Sequence, residues 1–243
     1  MQNKTVLITG AAARIGAAIA ECLHGDGMDV LIHYNQSATA ALELEQRLNR
    51  IRPDSAMSVR ADLLDDQAAE ILLDAVKRFK GSLYALVNNA SSFYPTRIGT
   101  TSSEQWDDLM GTNLKAPYFL VQALAASLRA QHGTIINIVD IHAQRPLPGH
   151  TVYCCAKAGL EMMTMAMARE LAPHVRVNGV APGAIIWPAD MDTASRDGIL
   201  GCIPLGTSGS PADVASTVRF LVNDAAYITG QIINVDGGRS VFS

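Results

Sequence analysis

Thr5-Val-Leu-Ile-Thr-Gly10-Ala-Ala-Ala-Arg-Ile-Gly16 decides the fold class. Thr5 to Thr9 is a short apolar run with no polar face, and it ends in a glycine turn. A helical pattern follows from about Ala17 to His24. Gly10 allows the tight turn and Gly16 lets helix and strand approach. The new helix then offers unpaired N–H groups and the positive end of its dipole to an anion.

The same alternation repeats outward to the end of the chain. Strand-like runs are expected at Asp29 to Tyr34, Ala56 to Ala61, Ala85 to Asn89, Thr134 to Val139, Arg176 to Ala181 and Gln231 to Val235. Helical patterns fall between them near 38–50, 67–80, 103–129, 153–171 and 211–221. Apolar strands separated by helices indicate a parallel sheet covered on both faces. The expectation is an α/β fold, a Rossmann-like doubly wound parallel sheet flanked by helices, with residues 1–243 as a single domain. Ligands in such sheets bind outside the carboxyl ends of the strands. Pro182 to Gly209, rich in Gly, Pro, Ser and Asp, is expected to be a substrate loop rather than a linker.

Composition agrees with one compact unit. A chain of 243 residues buries about 70–75% of its unfolded surface. Its 19 basic and 23 acidic side chains leave a net charge of -4, with no basic footprint for nucleic acid. With 17% charged residues it is too weakly charged for a disordered tail. No apolar run reaches the ~18 residues of a membrane span. Cys22, Cys154, Cys155 and Cys202 show no metal-ligand spacing, so no metal site is expected. Met1 to Gly10 runs into a strand without a signal-like apolar segment, and the reading is of a reduced, cytoplasmic protein.

The second strand bears on which anion the turn meets. An acid about 20 residues beyond the turn bonds a ribose 2′-OH, but His33-Tyr34-Asn35-Gln36-Ser37 contains none. Arg14 stands where such turns usually carry glycine. A cation with imidazole or hydroxyl donors accepts a 2′-phosphate, which favours NADPH. Asp62, after the third strand, is read either as an acceptor for an adenine amino group or as a helix N-cap.

In order and at normal spacing, TGAAARIG, Asn88-Asn-Ala-Ser91, Asn113, Tyr153-Cys-Cys-Ala-Lys157, Ala181-Pro-Gly183, Tyr227-Ile-Thr-Gly230 and Val235-Asp-Gly-Gly238 resemble the short-chain dehydrogenase/reductases. Within them, the arginine-bearing turn, the His33 to Ala38 run, Asn88 to Thr96 and Val139-Asp140 resemble the pteridine reductases. The resemblance implies a cofactor site of Gly10, Arg14, Ile15, Gly16, His33, Tyr34, Asn35, Ser37, Asp62, Leu63, Asn89, Ala90, Tyr153, Lys157, Pro182 and Gly183. It implies substrate contacts from Arg14, Ser91, Phe93, Asp140 and Tyr153, with Asn113 in a proton relay. It also implies a homotetramer packed through the helix of Tyr153 and the last strand.

The residues carry chemistry consistent with that likeness. Tyr153 and Lys157 are four apart and share one helix face, so an ammonium beside the phenol is expected to lower its pKa. Most superfamily members place a serine where Asp140 stands. A carboxylate there opposes the oxyanion formed from a ketone, but suits reduction of a ring C=N bond. Phe93 could stack on a flat heterocycle, and Trp187 either walls the pocket or simply packs. The expected activity is NADPH-dependent reduction of pterins, with folates as larger substrates. A 3-oxoacyl carrier-protein reductase and a non-catalytic NADP(H) sensor are the alternatives.

Overall fold

A computed structural model describes residues 4–188 and 191–242. Strands β1 (Thr5–Ile8), β2 (Asp29–Tyr34), β3 (Ala56–Arg60), β4 (Ala85–Asn88), β5 (Thr134–Ile138), β6 (Arg176–Pro182) and β7 (Ile232–Val235) form one sheet in the order β3-β2-β1-β4-β5-β6-β7. Every pairing is parallel. The order reverses between β1 and β4, leaving the crevice that opens at such a switch point.

Side-chain alternation along the strands explains the two layers. Val6 and Ile8 of β1, with Val30, Ile32, Val87 and Ile136, meet α1 (Arg14–Gly25), α2 (Ala38–Ile51) and α8 (Pro211–Asn223). Leu7, between them, joins Leu31, Leu86, Ile135 and Val177 on the other face. There they pack against α3 (Ala68–Phe79), α5 (Ala116–Ala130) and α6 (Thr151–Leu171). Each buried Val, Leu or Ile contributes roughly 1.5–3 kcal/mol, which drives both faces to be covered.

Two stretches depart from the expected pattern. The helix expected over 103–129 is α4 (Ser103–Met110), a π turn (Gly111–Lys115) and α5. Ala116 donates to Gly111 O in an i to i+5 bond, and a Cβ at Gly111 would come within 2.5 Å of Leu64 Cδ2. Inside the expected 183–209 loop, Thr193–Leu200 forms a short helix, α7, capped by Asp192 accepting from Ser195 N. Its sequence has no apolar stripe, and none of its described residues is buried. A final short helix, α9 (Arg239–Phe242), follows β7. Among the described residues no helix is long and apolar enough to cross a membrane.

The sheet centre also contains a polar chain. Asn88 Nδ2 donates to Asn137 Oδ1 (2.8 Å), Asn137 Nδ2 to Thr164 Oγ1 (2.8 Å) and Thr164 Oγ1 to Leu160 O (2.7 Å). It links β4, β5 and α6 in a region shielded from water, where an unpaired group is costly. Asn137→Ala is therefore expected to lower stability by about 1–3 kcal/mol in denaturant unfolding; an unchanged midpoint would contradict this role.

Candidate active site

A cleft of about 810 Å³ runs along the carboxyl ends of the strands, within the ~300–1,000 Å³ of small-molecule sites. Gly10, Arg14, Ile15 and Gly16 wall one end, and Asp140, Tyr153 and Lys157 lie in the same cavity.

The turn after β1 is held against the end of β4. Thr9 Oγ1 accepts from the N–H groups of Asn89 (2.9 Å) and Ala90 (3.0 Å), while Asn89 Nδ2 donates to Thr9 O and Gly10 O. Gly10 has φ +61, and a Cβ there would lie 3.0 Å from Ala90 Cα. A Cβ on Gly16 would meet Gly10 O at 2.3 Å. Neither position accepts a side chain. Arg14 takes φ 56, the left-handed region where its place in the turn would suit glycine. It starts α1, which has no acid in its first turn and no side-chain cap at Ala13. The uncapped helix start suits a diphosphate.

His33 holds this turn. Its Nδ1 accepts from Gly10 N (3.1 Å), so the other ring nitrogen, Nε2, donates to Ala61 O (3.1 Å). Both nitrogens are used and the ring is buried. Burial lowers its pKa to about 4. Asn35, Asp62 and Leu63 line the cleft. Asp62 Oδ1 accepts from Leu64 N (3.0 Å), closing a turn, but it is not the helix N-cap expected as its alternative, because α3 starts at Ala68 behind Gln67. Tyr34 instead packs against the core, and Ser37 is exposed ahead of α2. Arg60 is a cation the sequence reading missed, and its Nε donates to Asn35 O (3.2 Å). The parallel register, which sets Tyr34 beside Arg60, brings it there.

Asp140, Tyr153 and Lys157 meet at the end of β5. Tyr153 donates to Asp140 Oδ2 (2.8 Å), while Asp140 Oδ1 caps the turn Ile141–Ala143 by accepting from His142 N (2.8 Å). Lys157 Nζ donates to Ile138 O (2.9 Å) and sits 5.7 Å from the Tyr153 ring centre. Burial lowers the lysine to about 8, partly opposed by Asp140. The expected lowering of the phenol is not what this arrangement produces. Burial first, then the charge and hydrogen bond of Asp140, push Tyr153 upward. Two buried positions penalise both charged forms, and the carboxylate is closer to the phenol than the ammonium is. In this state the proton stays on the phenol, which makes Tyr153 a donor.

Asn113 is buried behind the cleft: it accepts from Ser91 Oγ (2.7 Å) and donates to Ser92 O and Leu109 O (both 2.9 Å). Ser91, Phe93, Pro182, Gly183 and Trp187 line the cavity, with Trp187 half-buried. Phe93 is 52% exposed, stacked on His150 at 4.8 Å and edge-on to Tyr153 at 4.8 Å. The cleft also takes in Ser92, Asp108, Thr112 and Arg239. No single motif marks them, because turns far apart in the chain bring them together.

A family model of the short-chain dehydrogenases, described as enoyl-(acyl carrier protein) reductase, matches residues 10–240. The chain belongs to the short-chain dehydrogenase/reductase family. It is an oxidoreductase of that family. Pteridine reductase 1 of Leishmania tarentolae is 41% identical over 97% of this chain and 96% of its own length. The 3-oxoacyl-[acyl-carrier-protein] reductase FabG of Staphylococcus epidermidis is 36% identical over 97% and 98% of the two chains. The FabG of Haemophilus influenzae is also 36% identical, over 98% of both.

The state of His33 sets a stability test. Its folded pKa lies below the ordinary histidine value of about 6.5, so the unfolded chain takes up the proton first as pH falls. Stability is present above about 6.5 and is lost by roughly 1.4 kcal/mol per pH unit down to about 4. Buried His24, also lowered, acts in the same direction. His33→Gln is expected to flatten this acid limb in unfolding measurements; an unaltered slope would exclude His33 as its source.

Proposed function

We propose that the protein reduces pterins with NADPH, taking dihydropterins to tetrahydropterins, with oxidised pterins and dihydrofolate as further substrates. The bond from Tyr153 to Asp140 inside the cleft carries this reading. At the position facing the reacting centre, a carboxylate accepts hydrogen bonds and repels a developing oxyanion. That favours a ring presenting N–H donors beside a C=N bond over a simple ketone.

The cofactor reading rests on the chain's own residues. Gly10 and Gly16 let the turn pack tightly against Ala90 and Asn89, and the uncapped start of α1 offers its N–H groups to a diphosphate. No acid follows β2, while Arg14 and Arg60 stand near its end with no ion pair to another described residue. This combination supports a 2′-phosphate. When bound, the reduced nicotinamide supplies the hydride. Tyr153, held protonated, gives a proton to the adjacent ring nitrogen, so hydride and proton together complete a two-electron reduction. Asp140 receives the substrate's donor groups, and Lys157 with Asn113 restores the phenol proton. Asn35, Asp62, Leu63, Ala90, Pro182 and Gly183 would border the dinucleotide, and Phe93 and Trp187 the flat ring.

We also propose a reduced, cytoplasmic setting, supported by four free cysteines, and one domain for the whole chain. A homotetramer through α6 and β7 is supported by exposed Met162 and Met165 on α6.

Purified protein with NADPH, followed at the nicotinamide absorbance, is expected to turn over dihydrobiopterin and dihydrofolate but not an acetoacetyl thioester. The FabG relatives make the thioester the informative competitor, and its turnover alone would overturn the pterin reading. Tyr153→Phe is expected to lose at least about 100-fold in kcat while still binding NADPH; full activity would remove the phenol from the proton path.

Arg14→Ala is expected to weaken NADPH about tenfold or more while leaving NADH nearly unchanged, as loss of a charge-assisted contact to one phosphate requires. Equal losses for the two nucleotides would remove the argument for the 2′-phosphate.

A further inference from the structure

We propose that Asp108 is a positioning residue that clamps the Phe93 ring in the plane where a flat substrate stacks. This inference rests on the pterin reading above.

An aromatic side chain that is half exposed on an irregular loop loses entropy when fixed, so a usable stacking surface needs support from its neighbours. Ser92 and Tyr94, on either side of Phe93, both reach the same carboxylate. Tyr94 donates to Asp108 Oδ2 at 2.7 Å, and Ser92 Oγ donates to Oδ1 at 3.1 Å. Thr112 Oγ1 adds a contact to Oδ1 at 3.4 Å. Both neighbours of Phe93 are thus tied to one carboxylate, while Phe93 itself lines the cleft.

Burial first, and then the Asp108 contact, raise Tyr94 to about 12, so the phenol remains a donor. Behind the loop, Asn113 takes Ser92 O at 2.9 Å. The ring's own contacts complete the restraint: His150 lies nearly parallel to it at 11°, and Tyr153 meets it at 77°. Asp108 also lines the cleft, but its two carboxylate oxygens are engaged by Tyr94 and Ser92, so it acts on a stacked ring through Phe93. The π turn that follows α4 brings Thr112 and Asn113 to the same loop.

The test is a double-mutant cycle in the full-length protein, with dihydrobiopterin as substrate. Asp108→Ala is expected to raise KM about five- to tenfold, the size of a lost aromatic stacking contact, with a smaller change in kcat and unchanged NADPH binding. Asp108→Asn, which retains one carbonyl acceptor, is expected to recover part of the loss. In a Phe93→Ala background, Asp108→Ala is expected to add nothing, because the two act as a unit. Full additivity, or a loss of NADPH affinity equal to the loss for pterin, would overturn the clamp. Should Asp108→Ala fail to fold, Tyr94→Phe and Ser92→Ala each remove one arm and are expected to show the same dependence on Phe93.

A second readout separates this inference from the pterin reading. With 4-fluorophenylalanine at the five phenylalanines, the ¹⁹F line assigned by Phe93→Leu is expected to shift and broaden in Tyr94→Phe and Asp108→Ala. An unmoved line overturns the clamp whatever the substrate. Absence of pterin turnover by the unaltered protein, with a line that does move, overturns only the pterin reading.

Discussion

The hydroxyl of Thr9 joins the two strands between which the cleft opens. It contacts Val87 O at 3.4 Å and accepts from the N–H groups of Asn89 and Ala90. The next residue, Gly10, turns with positive φ and gives its own N–H to His33 at the end of β2. One side chain and one peptide thus tie three neighbouring strand ends together. Strands spaced about 4.8 Å apart allow this, because adjacent ends lie within a single hydrogen bond of each other. The helix start at Arg14, the loop from Ser91 and the cavity between them are positioned from this junction.

Burial then determines the chemistry. Tyr153 and Lys157 share a helix face, as four-residue spacing requires, and the simplest electrostatic argument makes the phenol more acidic. The sheet instead buries both groups, with Asp140 2.8 Å from the phenol oxygen. Desolvation moves the lysine down and the tyrosine up, which favours the protonated phenol. A site that delivers a proton to substrate benefits from that bias. A site that had to remove one would be hindered by it.

The sheet was legible in the sequence because continuous apolar strands can be satisfied only by helices on both faces, and the alternation of Val6, Leu7 and Ile8 confirms it residue by residue. Gly10, Gly16, Asp140, Tyr153 and Lys157 were legible as well, since each needs a particular residue type at a strand end or helix turn. The part taken by His33 was not. An imidazole after a strand reads as a donor for a phosphate, and only the register of β2 against β3 shows that Ala61 O and Gly10 N consume both its nitrogens. Helix α7 was hidden for a different reason: its stretch has no apolar stripe and is held by an Asp192 cap rather than by core burial. Tyr94 reads as loop structure, and its contact with Asp108 stayed hidden because it depends on that loop folding back onto α4.

Asp140 shows how one residue can serve both structure and selectivity. A serine in its place would retain a hydroxyl able to donate to a carbonyl oxygen. The carboxylate can only accept, and one of its two oxygens is already committed to His142 N in capping the turn after β5. That commitment fixes the orientation of the other oxygen, which is left for Tyr153 and for whatever enters the cleft. A ligand that offers only acceptors has no hydrogen to share with the Asp140 carboxylate, whereas one that offers N–H groups replaces or shares the phenol bond. The cap removes the rotational freedom that would let the carboxylate turn away, and the proposed preference for donor-rich rings rests on that geometry.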